Sequence, residues 1–169
     1  GSSDQASSPH SGPERGGMTY VPNLNRNRKQ WPSSVVSAET LMRLALEARE
    51  NAYAPYSGFK VGAACLSERD EIDVGCNVEN ASYGLTQCAE RSALASSRVS
   101  GHAQTVAIAV AGEASRSCFP CGACRQVIYE RNPRMLVVVV GKITPEVFAI
   151  DELLPFAFDM RKEDDNGPL

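Results

Sequence analysis

The sequence predicts an α/β protein, a three-layer α/β/α sandwich around a five-stranded mixed sheet. Three observations lead there. Segments with helical apolar spacing alternate with short apolar or β-branched runs along the chain. One pair of runs is joined by a polar turn, as in an antiparallel hairpin, and another pair flanks a helix, as in a parallel crossover. A hydrophobic content of 43% in 169 residues suits a single domain with a real core.

The elements follow in order. Over residues 38–52, apolar residues at 41, 44, 45, 48 and 52 recur at helical spacing, with Ser37 as N-cap, and Pro55 and Gly58 stop the helix. The runs 59-FKVGAACL-66 and 74-VGCNVE-79 are expected as strands joined by the turn 67-SERDEID-73. Residues 88–99, rich in Ala, Leu, Glu and Arg, are expected as a helix. A strand at 105–112, a helix at 121–131 and a strand at 135–141 then form a crossover unit, which should be right-handed. The unbroken valines of 135-MLVVVVG-141 suit a strand covered on both faces. A last strand, 147-VFAI-150, leads to a short helix at 151–155. Residues 1–34 and 161–169 are dominated by polar, Gly and Pro residues and are expected as flexible tails around a domain at 35–160.

Bulk charge narrows the function. A net charge of -3 gives no basic footprint, and the one small cluster, 26-RNRK-29, falls in the polar N-terminal segment, so nucleic acid is not an expected partner. No apolar run approaches the roughly 20 residues needed to span a bilayer. No secretory leader pattern is evident either, and the chain is expected to be soluble and cytoplasmic. Six cysteines, at 65, 76, 88, 118, 121 and 124, are too few for a disulfide scaffold. Cys65 and Cys76 lie in strand patterns and are expected as buried apolar thiols.

The remaining chemistry concentrates in 88-CAERSAL-94 and 119-FPCGACRQ-126. Cys121 and Cys124, three apart at a helix beginning, project from nearly one face of the first turn, and Pro120 suits a helix start. Alone, this pair is also how dithiol redox proteins are built. Cys88 and Glu90 converge only if Cys88 stands at the very end of its helix with Glu90 in the first turn, where free N–H groups favour a thiolate. Three thiolates brought together need a cation, zinc being the natural one, and three protein ligands mark a catalytic site with an open position. Glu90 is then placed to move protons. Arg91 is the candidate to draw charge off the sulfurs, against the plain alternative of a surface helix charge. Cys118 is a possible fourth thiolate that would close the site into a structural knot. His10 and His102 lie outside the motif.

Cys-Ala-Glu followed by Pro-Cys-x-x-Cys is the zinc nucleobase-deaminase signature in its three-cysteine form. Around it, 55-PYSGFKVGAACL-66, 75-GCNVENASYGLTQCAERSAL-94 and 120-PCGACRQV-127 make the chain resemble the small, homotetrameric cytidine deaminases over about residues 35–158. The resemblance implies one catalytic zinc per subunit on Cys88, Cys121 and Cys124, with Glu90 as proton shuttle and Arg91 bonded to ligand sulfurs. It implies that Asn77 and Glu79 hold a ribose hydroxyl, that Phe59 and Ala89 lie against the substrate, and that Phe158 reaches a neighbouring subunit's site. A carboxylate and an amide at i and i+2 on one strand face are chemically what a sugar hydroxyl needs, though a polar strand end is the plain alternative. The implied reaction is hydrolysis of cytidine and 2'-deoxycytidine to uridine and 2'-deoxyuridine with release of ammonia, as in pyrimidine salvage. A deaminase of the blasticidin S type shares the cysteine elements and is the alternative enzyme. A structural zinc or dithiol module is the alternative without catalysis.

Overall fold

In the computed structural model, which describes residues 29–113 and 115–160, helix α1 (Ala38–Arg49) begins where the Ser37 hydroxyl accepts the Thr40 N–H at 3.1 Å. That bond satisfies one free donor of the first turn. Strands β1 (Gly62–Ser67) and β2 (Ile72–Cys76) pair as an antiparallel hairpin, with Ala64 opposite Val74. The turn between them is tighter than the sequence suggests. Asp70 takes a positive φ of 62°, a conformation short polar side chains tolerate, and Ser67 N–H bonds Glu71 C=O at 2.9 Å, so β2 starts two residues early. At the other end, residues 59–61 leave the ladder because the Asn77 side chain takes up their backbone groups.

Helix α2 (Ala89–Val99), strand β3 (Thr105–Ala111), helix α3 (Gly122–Arg131), strand β4 (Leu136–Val139), strand β5 (Glu146–Ala149) and the short helix α4 (Ile150–Leu153) complete the fold. The sheet runs β2-β1-β3-β4-β5. Only β3 and β4 pair in parallel, and the other neighbours are antiparallel. The expected five-stranded mixed sheet is therefore present. Leu136 and Val138 of β4 face one core cluster while Val137 and Val139 face the other, so this strand is covered on both sides.

On one face α1 lays Leu41, Met42 and Ala45 over Ala64, Leu66, Ala107, Ala109 and Val138. On the other, Ala89, Ala93 and Leu94 of α2, Ile128 of α3 and Ile150 of α4 cover Ala63, Cys65, Ile108, Val110, Val137 and Val139. Three layers result. Two glycines set how closely the layers approach. A Cβ on Gly62 would fall 1.9 Å from Ala45 O of α1, and one on Gly75 would fall 2.3 Å from Ala93 N of α2. Both helices therefore rest with backbone on backbone, and α2 in particular is held at a depth that no side chain on residue 75 would allow.

Two details depart from expectation. Cys65 is buried, but Cys76, at the end of β2, is only half-buried. Trp31, expected in the N-terminal tail, packs against the α1 cluster and donates its indole N–H to Val36 C=O at 2.6 Å, while Ser33 Oγ accepts the N–H of Val35 and Val36. Burying one large ring and closing a turn offsets the entropy of ordering a short polar segment. The expected tails at 1–28 and 161–169 lie outside the described residues. Among the described residues no helix is long and apolar enough to cross a membrane.

Candidate active site

The chain between β2 and α2 is pinned before it reaches the helix. Val78 and Gln87 exchange both backbone hydrogen bonds at 2.9 Å, so Cys88 starts α2 from a fixed point. Cys88 is the N-cap, Ala89 to Arg91 form the first turn, and the Cys88 side chain makes no cap bond. A Ser, Thr, Asp or Asn here would stabilise the helix by about 1 kcal/mol through such a bond, so a free thiol in this place is a departure from local helix chemistry. Cys121 is likewise the N-cap of α3, with Cys124 three residues on in its first turn. Pro120 stands one residue outside the helix and is buried. Its carbonyl accepts from Arg125 Nε at 2.8 Å, and Ser117 Oγ donates to Val140 C=O at 2.5 Å, which ties the β3–α3 loop to the end of β4.

These two helix starts bring the sulfurs of Cys88, Cys121 and Cys124 within 4.8 Å of one another. Cys118 is not in this group; it packs beside the α2–α3 core cluster. The thiols are electrostatically unequal. Burial works to raise Cys121, but the Cys124 N–H and the thiols of Cys124 and Cys88 outweigh it and hold Cys121 below its ordinary value. Cys124 is pushed far up by burial and by the negative charges of Glu90, Cys88 and Cys121. Gathering negative charge on these sulfurs is thus opposed by burial and by their mutual repulsion. A divalent cation removes that opposition, and soft sulfur donors at this spacing suit zinc.

Glu90 is 4% exposed on the same first turn. Burial pushes its carboxyl above the usual range, partly opposed by its own backbone N–H, the Cys124 thiol and the Arg91 charge. Arg91 donates from Nη2 to Thr86 C=O at 2.9 Å and lies 3.7 Å from Cys88 Sγ, and contact with that sulfur raises the guanidinium's affinity for its proton. Its Nε is buried and has no partner among the described residues.

The other expected site residues fall in three places. Asn77, buried, accepts from Val61 N–H at 2.8 Å and donates to Phe59 C=O at 2.9 Å, which leaves one N–H and one lone pair on its amide. Glu79 accepts the N–H of Tyr56 at 2.8 Å, the N–H of Ser57 at 3.2 Å and the Ser57 hydroxyl. Both side chains therefore staple the 55–61 segment that carries Phe59, a role the sequence did not suggest. Phe59 is 46% exposed and lines a cleft of about 370 Å³ with Glu113, Arg116, Ser117, Cys118 and Phe119. Ala89 has its methyl wholly within the core, so what it presents toward a ligand is its backbone N–H at the helix start. Phe158 is 69% exposed, with its carbonyl accepting from Gln126 Nε2 of α3 at 2.8 Å. Sequence reasoning missed Ser57 and Phe119; the serine in 55-PYSGF-59 was a visible turn signal.

A thiol trio at two helix starts, spaced to hold a metal ion, with a buried carboxyl in the first turn of one of them, is the arrangement of a zinc hydrolase on a mixed α/β sheet. The comparisons agree. The family model described as "Cytidine and deoxycytidylate deaminase zinc-binding region" matches residues 35–140. A cytidine deaminase of Halalkalibacterium halodurans is 47% identical over 122 residues, covering 71% of this chain and 92% of that protein. The crystal structure of a cytidine deaminase from Burkholderia pseudomallei superposes with a TM-score of 0.68 at 47% identity, covering 73% of this chain and all of the other. That from Mycobacterium tuberculosis gives 0.66 at 37% identity, covering 74% of this chain and 99% of the other. The chain belongs to the cytidine and deoxycytidylate deaminase family, and its thiol trio fits one zinc per subunit.

Proposed function

We propose that the protein hydrolyses cytidine and 2'-deoxycytidine to uridine and 2'-deoxyuridine with release of ammonia. The observation that carries this is the convergence of Cys88, Cys121 and Cys124 beside the buried Glu90. Zinc held by the three thiolates supplies the Lewis acidity that lets water give up a proton near neutral pH. Glu90 would take that proton on a carboxylate oxygen and donate it to the ring nitrogen as the water oxygen bonds to the adjacent amine-bearing carbon; it would then take the second proton from that oxygen and pass it to the amine, so that the C–N bond breaks, ammonia leaves and the carbonyl forms. Its burial favours the protonated carboxyl, the form needed for both donations. Arg91, against the Cys88 sulfur, withdraws charge that three thiolates would otherwise load onto the ion. The spare donor and acceptor capacity of Asn77 and Glu79 suits a ribose hydroxyl, and Phe59 forms an apolar wall for the base and sugar.

In this reading the enzyme works in the cytoplasm as a homotetramer, with Phe158 reaching a neighbouring copy's site. Supporting it are the free thiols of the described residues and the exposure of Phe156 and Phe158. The test measures zinc content, X-ray absorption at the zinc edge and ammonia release on one preparation. Three sulfurs and one oxygen at zinc, with turnover of cytidine, are expected; four sulfurs would reject the catalytic site. Glu90→Gln should retain zinc while turnover falls by roughly two to four orders of magnitude.

A further inference from the structure

Gly112 follows β3 and opens the loop that leads to the Cys121 helix start. A Cβ placed on it would stand 3.0 Å from Phe59 Cζ, 3.1 Å from Cys118 Cβ and 3.3 Å from Cys118 Sγ. Carbon atoms in ordinary contact sit about 3.5–4.0 Å apart, so two side chains from separate segments close over one bare Cα, and a methyl there would force them to give by a few tenths of an ångström. Both side chains also line the 370 Å³ cleft. The backbone of Phe59 is held by Asn77 and Ser57, but those bonds leave the ring free to turn.

Cys118 lies outside the sulfur trio, and burial raises its thiol, with the Glu90 charge adding to the effect. It therefore presents a neutral, apolar wall to the cleft. Phe59 and Cys118 thus meet over Gly112 on one wall of the cleft.

We infer that Gly112 and Cys118 are positioning residues for the nucleoside: together they seat the Phe59 ring and so fix the cleft wall along which the pyrimidine approaches Glu90. This rests on the deaminase reading and adds to it two residues that touch no metal. A methyl on Gly112 should tilt the ring into the cleft, raising KM for cytidine about tenfold, the scale of one misplaced methyl group in a pocket, with kcat within about twofold and zinc content unchanged.

The test is a double-mutant cycle on zinc-replete enzyme, with KM and kcat for cytidine and with uridine affinity by titration calorimetry. Because Gly112 acts through Phe59, Gly112→Ala should add nothing to the KM of Phe59→Ala. In Gly112→Ala/Cys118→Ala, loss of the sulfur makes room for the new methyl, and KM should move back toward the wild-type value. Multiplied effects in the first pair, or an unchanged KM in Gly112→Ala, would overturn the inference; so would a kcat loss that tracks zinc loss. Should Gly112→Ala fail to fold, Cys118→Ala alone decides: uridine affinity should weaken several-fold, and an unchanged affinity rejects the seat. Zinc-loaded wild type that releases no ammonia from cytidine rejects the deaminase reading instead, which keeps the two failures apart.

Discussion

Asn77 and Glu79 each serve a scaffold as well as a candidate substrate contact. The Ser57 hydroxyl, ahead of the opposing effect of desolvation, and the N–H groups of Tyr56 and Ser57 hold the Glu79 carboxyl below its ordinary value of 4.5. A group whose folded value is depressed stabilises the fold above its unfolded value and loses that contribution as pH falls through the folded one. The 55–58 turn should therefore be intact at neutral pH and loosen on acidification below about 4.5, the ordinary Glu value. Amide exchange of Tyr56 and Ser57 should quicken over that range, and Glu79→Gln should remove the dependence. Periodicity marks Asn77 and Glu79 as polar residues at a strand end, but nothing in it says that their partners lie some 20 positions earlier. The pairs Cys88/Glu90 and Cys121/Cys124, by contrast, were legible, since spacings of two and three residues act within one helical turn; that the two helix starts meet came from the three-cysteine signature.

The helix that carries Cys88 and Glu90 is placed by a contact between backbones. Gly75 of β2 lets α2 settle onto the sheet, and α2 delivers both Cys88 and Glu90. Gly75→Ala would drive a methyl into the Ala93 N–H and the Ala89 carbonyl, and overpacking of this kind destabilises by about 1–3 kcal/mol. The expected result is a lower Tm together with weaker zinc retention, read by denaturation and by competition with a chromogenic chelator. A lower Tm with zinc affinity unchanged would mean that α2 can shift without disturbing the sulfurs. The order and type of elements were readable because hydrophobic periods of 2 and 3.6 differ clearly. Strand ends were not, since β1 stops pairing where the Asn77 side chain replaces a strand partner and β2 begins inside a stretch whose charges suggest a loop.

At the scale of the molecule, the thiol trio joins the starts of two helices that otherwise meet the sheet separately. Removing zinc with a chelator should lower Tm and speed amide exchange at 88–91 and 121–125 before α1 is affected, because α1 packs on the opposite face. In the proposed tetramer, sedimentation should report four copies of the 18.2 kDa chain, and Phe158→Ala should lower activity while leaving zinc content intact. Sequence reasoning reached the mixed sheet and its helices from the alternation of apolar periods. It did not reach residues 29–34, because low hydropathy averaged over the segment hid the one ring that anchors it.

That ring is the chain's only tryptophan, and it sits on the face of the sheet away from the thiols. Emission excited at the red edge of indole absorption therefore reports a single locus, the docking of the N-terminal arm. Quenching by acrylamide would follow that arm's release as an optical channel of its own, with the catalytic side of the molecule dark at that wavelength.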